Sequence, residues 1–181
     1  MALPYGFKSK ANAISRKARA GLGLAAEAPL PPLRLAARMS IAVAPLSSFA
    51  SQCAEAVRHL MKVDRRAFSA GTFHLGGRTL VVFNDANAKD RQASDLAHEL
   101  SHLLLKHPML PVLDERGCRH IDRELEEQAN WLGPALLVSD EAALHIAKQA
   151  WTVEKAAAEY GVTEDVARFR LNVTAAYRRV A

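Results

Sequence analysis

Residues 95–107 read DLAHELSHLLLKH: two histidines four apart, with a glutamate directly after the first. Leu96, Leu100, Leu103 and Leu104 recur at helical spacing, which predicts an amphipathic α-helix that docks its leucines in a core. Each helical residue turns by about 100°, so His98 and His102 fall about 40° apart and one turn above the other. Two imidazole nitrogens so placed can share one zinc ion at about 2 Å. Glu99 lies about 60° beyond His102 on the same wheel. That offset favours a base that handles the proton of an attacking water over a further ligand.

Zinc with two histidines needs a third protein ligand. The stretch RELEEQANWLGPALLV (123–138) offers one on a second predicted helix. Glu126 and Asn130 are four apart and share a face. Glu126 would complete a His–His–Glu set, and Asn130 could hydrogen-bond the far ring nitrogen of a liganding histidine. Glu124 and Glu127 compete for the same role, although Glu127 points about 100° away from Glu126. Pro134, directly after Gly133, is expected to kink this helix downstream of Glu126.

Outward from these helices, SKANAISRKARAGLG (9–23) reads as an amphipathic helix and APLPP (28–32) as a rigid connector. A proline-started helix spans 32–39 and a strand 40–46. A helix capped by Ser47 or Ser48 is expected to run to about residue 63, buried through Phe49, Cys53, Val57, Leu60 and Met61. AFSAGTFHLGGRTLVVFND (67–85) reads as a hairpin turning at Gly76-Gly77. Its second strand, TLVVFN, is open to two readings: a free edge for a substrate peptide, or an ordinary paired strand. Helices are expected at 88–106, 121–137, 140–150, 152–160 and 164–179. Helices, a small sheet, then helices make an α+β pattern. KAAAEYGVTEDVARFRL (155–171) also fits a helix-turn-helix. Two acids, Glu164 and Asp165, would then face phosphates, so packing is the preferred reading over DNA contact.

The 181 residues carry a net charge of +5, with 11 Lys/Arg against 3 Asp/Glu in residues 1–70. Such a basic front end attracts nucleic acid or acidic protein, or is a solvated helix face. No apolar run approaches the ~18 residues that cross a membrane, and the N-terminus lacks a secretory core, so a cytoplasmic protein with no membrane partner is expected. Cys53 and Cys118 fit no zinc-finger or redox spacing. Cys53 is expected in the core and Cys118 in a loop. His107, His120 and Tyr160 are candidates to polarise a transition-state oxyanion, although a structural or solvent-facing place is the preferred reading for each.

DLAHELSHLLLKH followed by ELEEQANWLGPALLV resembles the ImmA/IrrE family of bacterial and phage metallopeptidases. The similarity extends to GFKSKANAISRKARAGLGL at the front, RTLVVFNDANAKDRQASDLAHELSH at the centre and VEKAAAEYGVTEDVARFRLN near the end. The resemblance implies a zincin-like fold, with a small antiparallel or mixed three-stranded sheet packed on the active-site helix. It divides the chain into a metallopeptidase domain, 1–138, and a helix-turn-helix-like helical segment, 139–181, packed on it. It implies zinc, or another divalent metal such as Mn2+, on His98, His102 and Glu126, with Glu99 catalytic and Asn130 supporting. The implied substrate is a helix-turn-helix transcriptional repressor, cleaved to relieve repression in a stress response. The alternatives are a non-proteolytic regulatory protein, a DNA-binding protein or a toxin–antitoxin cassette component on the same fold. Ser101 stands where the family commonly has glycine, and LLVS replaces its LLxP ending.

Overall fold

The computed structural model describes residues 3–108 and 122–180. Strand β1 (Ala42–Pro45), strand β2 (Ala70–Leu75) and strand β3 (Arg78–Phe83) form one sheet in the order β1-β3-β2. β2 and β3 are the antiparallel hairpin, Ala70 opposite Phe83 through Leu75 opposite Arg78, turning at Gly76 and Gly77 with φ of 55° and 77°. β1 runs parallel to β3, Ala42 opposite Leu80. A parallel pair needs a long crossover. Here it holds a 3-10 turn (Leu46–Phe49), helix α3 (Ala54–Arg58), a π turn (His59–Val63) and β2 itself.

This order decides between the two readings of TLVVFN in favour of the ordinary paired strand. TLVVFN is the central strand, paired on both sides, and among the described residues the open edges belong to β1 and β2. Its apolar run explains the placement, since Val81 and Val82 are both buried although they face opposite sides. Leu80, Val82 and Phe73 pack with Leu46, Val57, Phe49, Leu60 and Met61 on one face. Thr72, opposite Val81, lies on the other face and reaches the histidine helix. The helix expected over residues 47–63 is instead broken at Cys53, whose φ of −146° is not helical. Cys53 is exposed, so the core role expected for it is also corrected.

Helix α1 (Phe7–Gly21) and helix α2 (Pro32–Arg38) precede the sheet, and helix α4 (Lys89–Leu105) follows it. Leu100 is fully buried with Leu35, Leu132 and Leu136, and Leu103 and Leu104 pack against that cluster. Helix α5 (Arg123–Leu137) packs along α4. Gly133 makes this approach possible: a Cβ there would stand 3.3 Å from the backbone nitrogen of His98 and 3.4 Å from its Cα. The helix runs on through Pro134 to Leu137.

Terminal carbonyls of a helix have no partner within it. Those of α5 are served from both ends of the chain. Ser15 Oγ donates to the Ala135 carbonyl (2.6 Å) and Arg19 to that of Leu137 (3.0 Å). Arg170 donates to the Val138 carbonyl (2.8 Å) and pairs with Asp140 (2.6 Å). Burial pulls the Arg19 guanidinium down to about 10, so it stays charged at neutral pH. Helices α6 (Asp140–Lys148), α7 (Val153–Tyr160), α8 (Glu164–Val173) and α9 (Ala176–Val180) complete the described chain. They share a buried cluster with Ala97 of α4 and Leu137 of α5. The single helix expected over 164–179 breaks at Ala175, with φ of 51°. Thr174 explains the break, because its hydroxyl donates to the carbonyls of Arg170 and Leu171 and competes with the helical ladder. Among the described residues, no helix is long and apolar enough to cross a membrane.

Candidate metal centre

The 3.6-residue period stacks His98 and His102 on one face of α4, with ring centroids 4.8 Å apart. Asp122 caps α5, its carboxylate accepting from the backbone nitrogens of Glu124 (3.0 Å) and Leu125 (3.3 Å). That cap orients the first turn, from which Glu126 reaches across. The two Nε2 atoms lie 3.1 Å apart. His98 Nε2 is 3.2 Å from Glu126 Oε2, and His102 Nε2 is 3.6 Å from Glu126 Oε1. Tetrahedral ligands about 2.0–2.1 Å from zinc stand roughly 3.3–3.4 Å from one another. The two histidines approach different oxygens of Glu126, at separations close to those between ligands of one zinc ion, and the donor types suit that ion. Among the described residues, His98, His102 and Glu126 form the one group with the geometry to hold a metal.

Burial opposes protonation of His98, but its contact with Glu126 and the charges of Glu99, Glu126 and Asp95 outweigh it and raise its pKa. The same negative surroundings draw a cation.

A relay behind His102 fixes which of its nitrogens is free. Helix α4 ends in a Schellman turn. Lys106 takes the left-handed conformation (φ 56°), and the backbone nitrogen of His107 donates to the His102 carbonyl (3.0 Å). The fold-back sets the two rings edge to face, centroids 4.9 Å apart, with their Nδ1 atoms 3.0 Å apart. His107 Nε2 lies 3.3 Å from Gln128 Oε1, and Gln128 Nε2 donates to Glu124 Oε1 (3.3 Å). A carboxylate only accepts, so Gln128 turns its amide nitrogen to Glu124 and its oxygen to His107. His107 then carries its proton on Nε2 and accepts at Nδ1. His102 in turn donates from Nδ1 and keeps the Nε2 lone pair toward Glu126 and His98. Burial lowers the pKa of His107, with Gln128 opposing, which favours the neutral ring the relay requires.

Glu99 is buried at 8% exposure, and its Oε2 accepts from the Thr72 hydroxyl of β2 (2.6 Å). It lines a cavity of about 420 Å³ with His98, Glu126, Asn130, Ser69 and Ala70. The start of β2 thus lies beside His98, Glu126 and Glu99 in this cavity. Val166, from the first turn of α8, closes part of the wall. That turn is the one a helix-turn-helix would offer to DNA.

Other expected site residues sit differently. Asn130 lines the cavity and is exposed, and the far nitrogen of His102 is engaged by His107 rather than by Asn130. His107 faces the back of His102 and supports that ring, in keeping with the structural reading preferred for it. Tyr160 takes the preferred packing position: it is buried in the C-terminal cluster and its hydroxyl donates to the Glu27 carbonyl (2.7 Å). Burial also pushes that phenol up to about 12. His120 and Cys118 lie outside the described residues. Glu124, a competitor for the third ligand position, serves the relay instead. Sequence reasoning missed Thr72 and Gln128. Gln128 and Glu124 are four apart on a helix, a detectable pair, whereas nothing local marks Thr72.

The family model described as Peptidase_M78, IrrE N-terminal-like domain, matches residues 56–172. That span takes in β2, β3, α4, α5 and the C-terminal helices through most of α8. No curated protein and no solved structure matches the chain.

Proposed function

The chain belongs to the IrrE N-terminal-like family of metallopeptidases, and from that premise we propose that it is a cytoplasmic zinc-dependent endopeptidase. Its proposed substrate is a helix-turn-helix transcriptional repressor, and cleavage lifts repression. The observation that carries the reading is the meeting of His98, His102 and Glu126 at one point, with Glu99 buried in the same cavity. His98, His102 and Glu126 would hold zinc; manganese is the alternative metal. Bound there, the ion supplies Lewis acidity, polarising an amide carbonyl and making a neighbouring water more acidic.

The chain's own residues do the rest. An extended peptide adds to the edge of β2 that is open among the described residues, whose main-chain groups hold it against the cavity. Glu99 takes the proton of the attacking water at a carboxylate oxygen and returns it to the departing amide nitrogen. Thr72 keeps that carboxylate turned into the site. The His107–Gln128–Glu124 relay keeps the Nε2 lone pair of His102 available. Val166 and Leu137 form an apolar part of the wall that excludes bulk water.

Glu99→Gln tests the assignment. The variant should retain one zinc per chain and lose cleavage of any helix-turn-helix repressor that the wild-type protein cuts. Undiminished cleavage by the variant would overturn the role given to Glu99.

A further inference from the structure

The end of the cavity beyond His98 carries two guanidinium groups that the proposed chemistry does not use. Arg66 and Arg91 both line it. Arg66 sits in the turn before β2. There the Asp64 carboxylate accepts from the backbone nitrogens of Arg66 and Ala67 (3.2 Å each), so the turn is built rather than slack. Its side chain is exposed and makes no ion pair among the described residues. Arg91 lies in the first turn of α4. Its Nε stands 2.9 Å from Asp95 Oδ1, which fixes the plane of the guanidinium, and 58% of the side chain remains exposed. The anchored Nε leaves the outer Nη fork free, the geometry that takes a carboxylate in two parallel bonds.

We propose that Arg66 and Arg91 form a subsite for an acidic side chain, Asp or Glu, of the peptide bound along β2. The inference rests on the metallopeptidase reading of the adjacent site. Arg91 precedes His98 by seven helical residues, about 10 Å along the axis. An extended peptide advances about 3.3 Å per residue, so the acidic side chain falls roughly three residues from the cleaved bond. Neutral or basic residues at that position leave the fork unpaired. The other carboxylates at the cavity are engaged: Asp95 with Arg91, Glu126 with the two histidines and Glu99 with Thr72.

Binding and cleavage separate this subsite from the reading beneath it. Zinc-loaded Glu99→Gln protein is panned against a random decapeptide library, and zinc-loaded wild type digests the same library. Asp and Glu should be enriched at one fixed position in both pools. Arg66→Glu should remove that enrichment or turn it toward Lys and Arg. For a matched acidic and neutral peptide pair, the discrimination should be about 2- to 5-fold, the range for an ion pair at an open rim, carried by KM with kcat little changed. Because Arg91 also holds Asp95, Arg91→Gln is the milder second variant and should weaken the preference in the same direction. Acid-selective binding without digestion would uphold the subsite and sink the peptidase reading. Digestion with no acidic preference, or a preference unchanged in both arginine variants, would overturn the subsite alone. A library neither bound nor cut would overturn both.

Discussion

Gly133→Val strikes the contact that brings the two metal-site helices together. A Cβ at this position would already lie 3.3 Å from the His98 backbone nitrogen and 3.4 Å from the Ala97 carbonyl carbon. Comfortable contacts between such atoms begin at about 3.5–4.0 Å, and valine adds two methyls about 1.5 Å beyond Cβ. The backbone of α4 cannot give way like the end of a side chain, so the helices must part by about 1 Å. His98 Nε2 and Glu126 Oε2, now 3.2 Å apart, would then stand too far apart for one ion, since zinc–ligand distances tolerate only about 0.2 Å. Loss of a supporting contact alone weakens metal sites by about 10–100-fold. Displacing a ligand should exceed that, so zinc affinity should fall by more than about 100-fold. Overpacking should cost the metal-free protein about 1–3 kcal/mol. Gly133→Ala is the control. It needs a shift of a few tenths of an ångström and gains about 1 kcal/mol of helix propensity, so its stability should stay near wild type. Zinc affinity is read by competition with a chromophoric chelator, and stability by thermal melting in EDTA. A folded Gly133→Val protein that binds zinc within twofold of wild type would refute the account of how α4 and α5 set the site.

Gln128→Leu removes the acceptor that fixes His107; zinc affinity should drop about 10–100-fold with little change in melting of the metal-free protein, and Gln128→Glu should restore it. Equal affinity in all three proteins would contradict the relay. Lys106→Gly relieves a left-handed lysine and should add about 0.5–1 kcal/mol, while Lys106→Val should lose stability; the reverse order on denaturant titration would count against the Schellman turn. Burial opposes ionisation of Asp85, but hydrogen bonds from Ser47 and its own backbone, with the charge of Lys89, outweigh it and hold the carboxyl below its usual value. A depressed carboxyl contributes stability above its unfolded pKa, about 3.9, and loses it as pH falls through the folded value. Asp85→Asn should therefore narrow the difference in Tm between pH 7 and pH 3, and an unchanged difference would contradict that role.

The α+β class, the hairpin at Gly76-Gly77 and the docking of the α4 leucines are legible in the chain because each rests on local period or turn chemistry. What stays hidden is tertiary. Glu126 and Asn130 share a helical face in sequence, but how that face is turned depends on Gly133 meeting the His98 backbone. TLVVFN is apolar in either of its two readings, and only the parallel pairing of β1 places it at the centre. His107 follows the helix end with no signal that a left-handed lysine folds it back onto His102. Tyr160 has the right chemistry for an oxyanion and the wrong place, its hydroxyl bonded to Glu27. Cys53 fits the apolar spacing of a helix that its own backbone interrupts.

The most direct test is a crystal structure of the zinc-loaded protein with anomalous scattering recorded at the zinc edge. One peak should lie about 2.0–2.2 Å from His98 Nε2, His102 Nε2 and a carboxylate oxygen of Glu126, with Glu99 beside it and unbound. A peak elsewhere, or zinc on the two histidines with Glu126 turned away, would contradict the account.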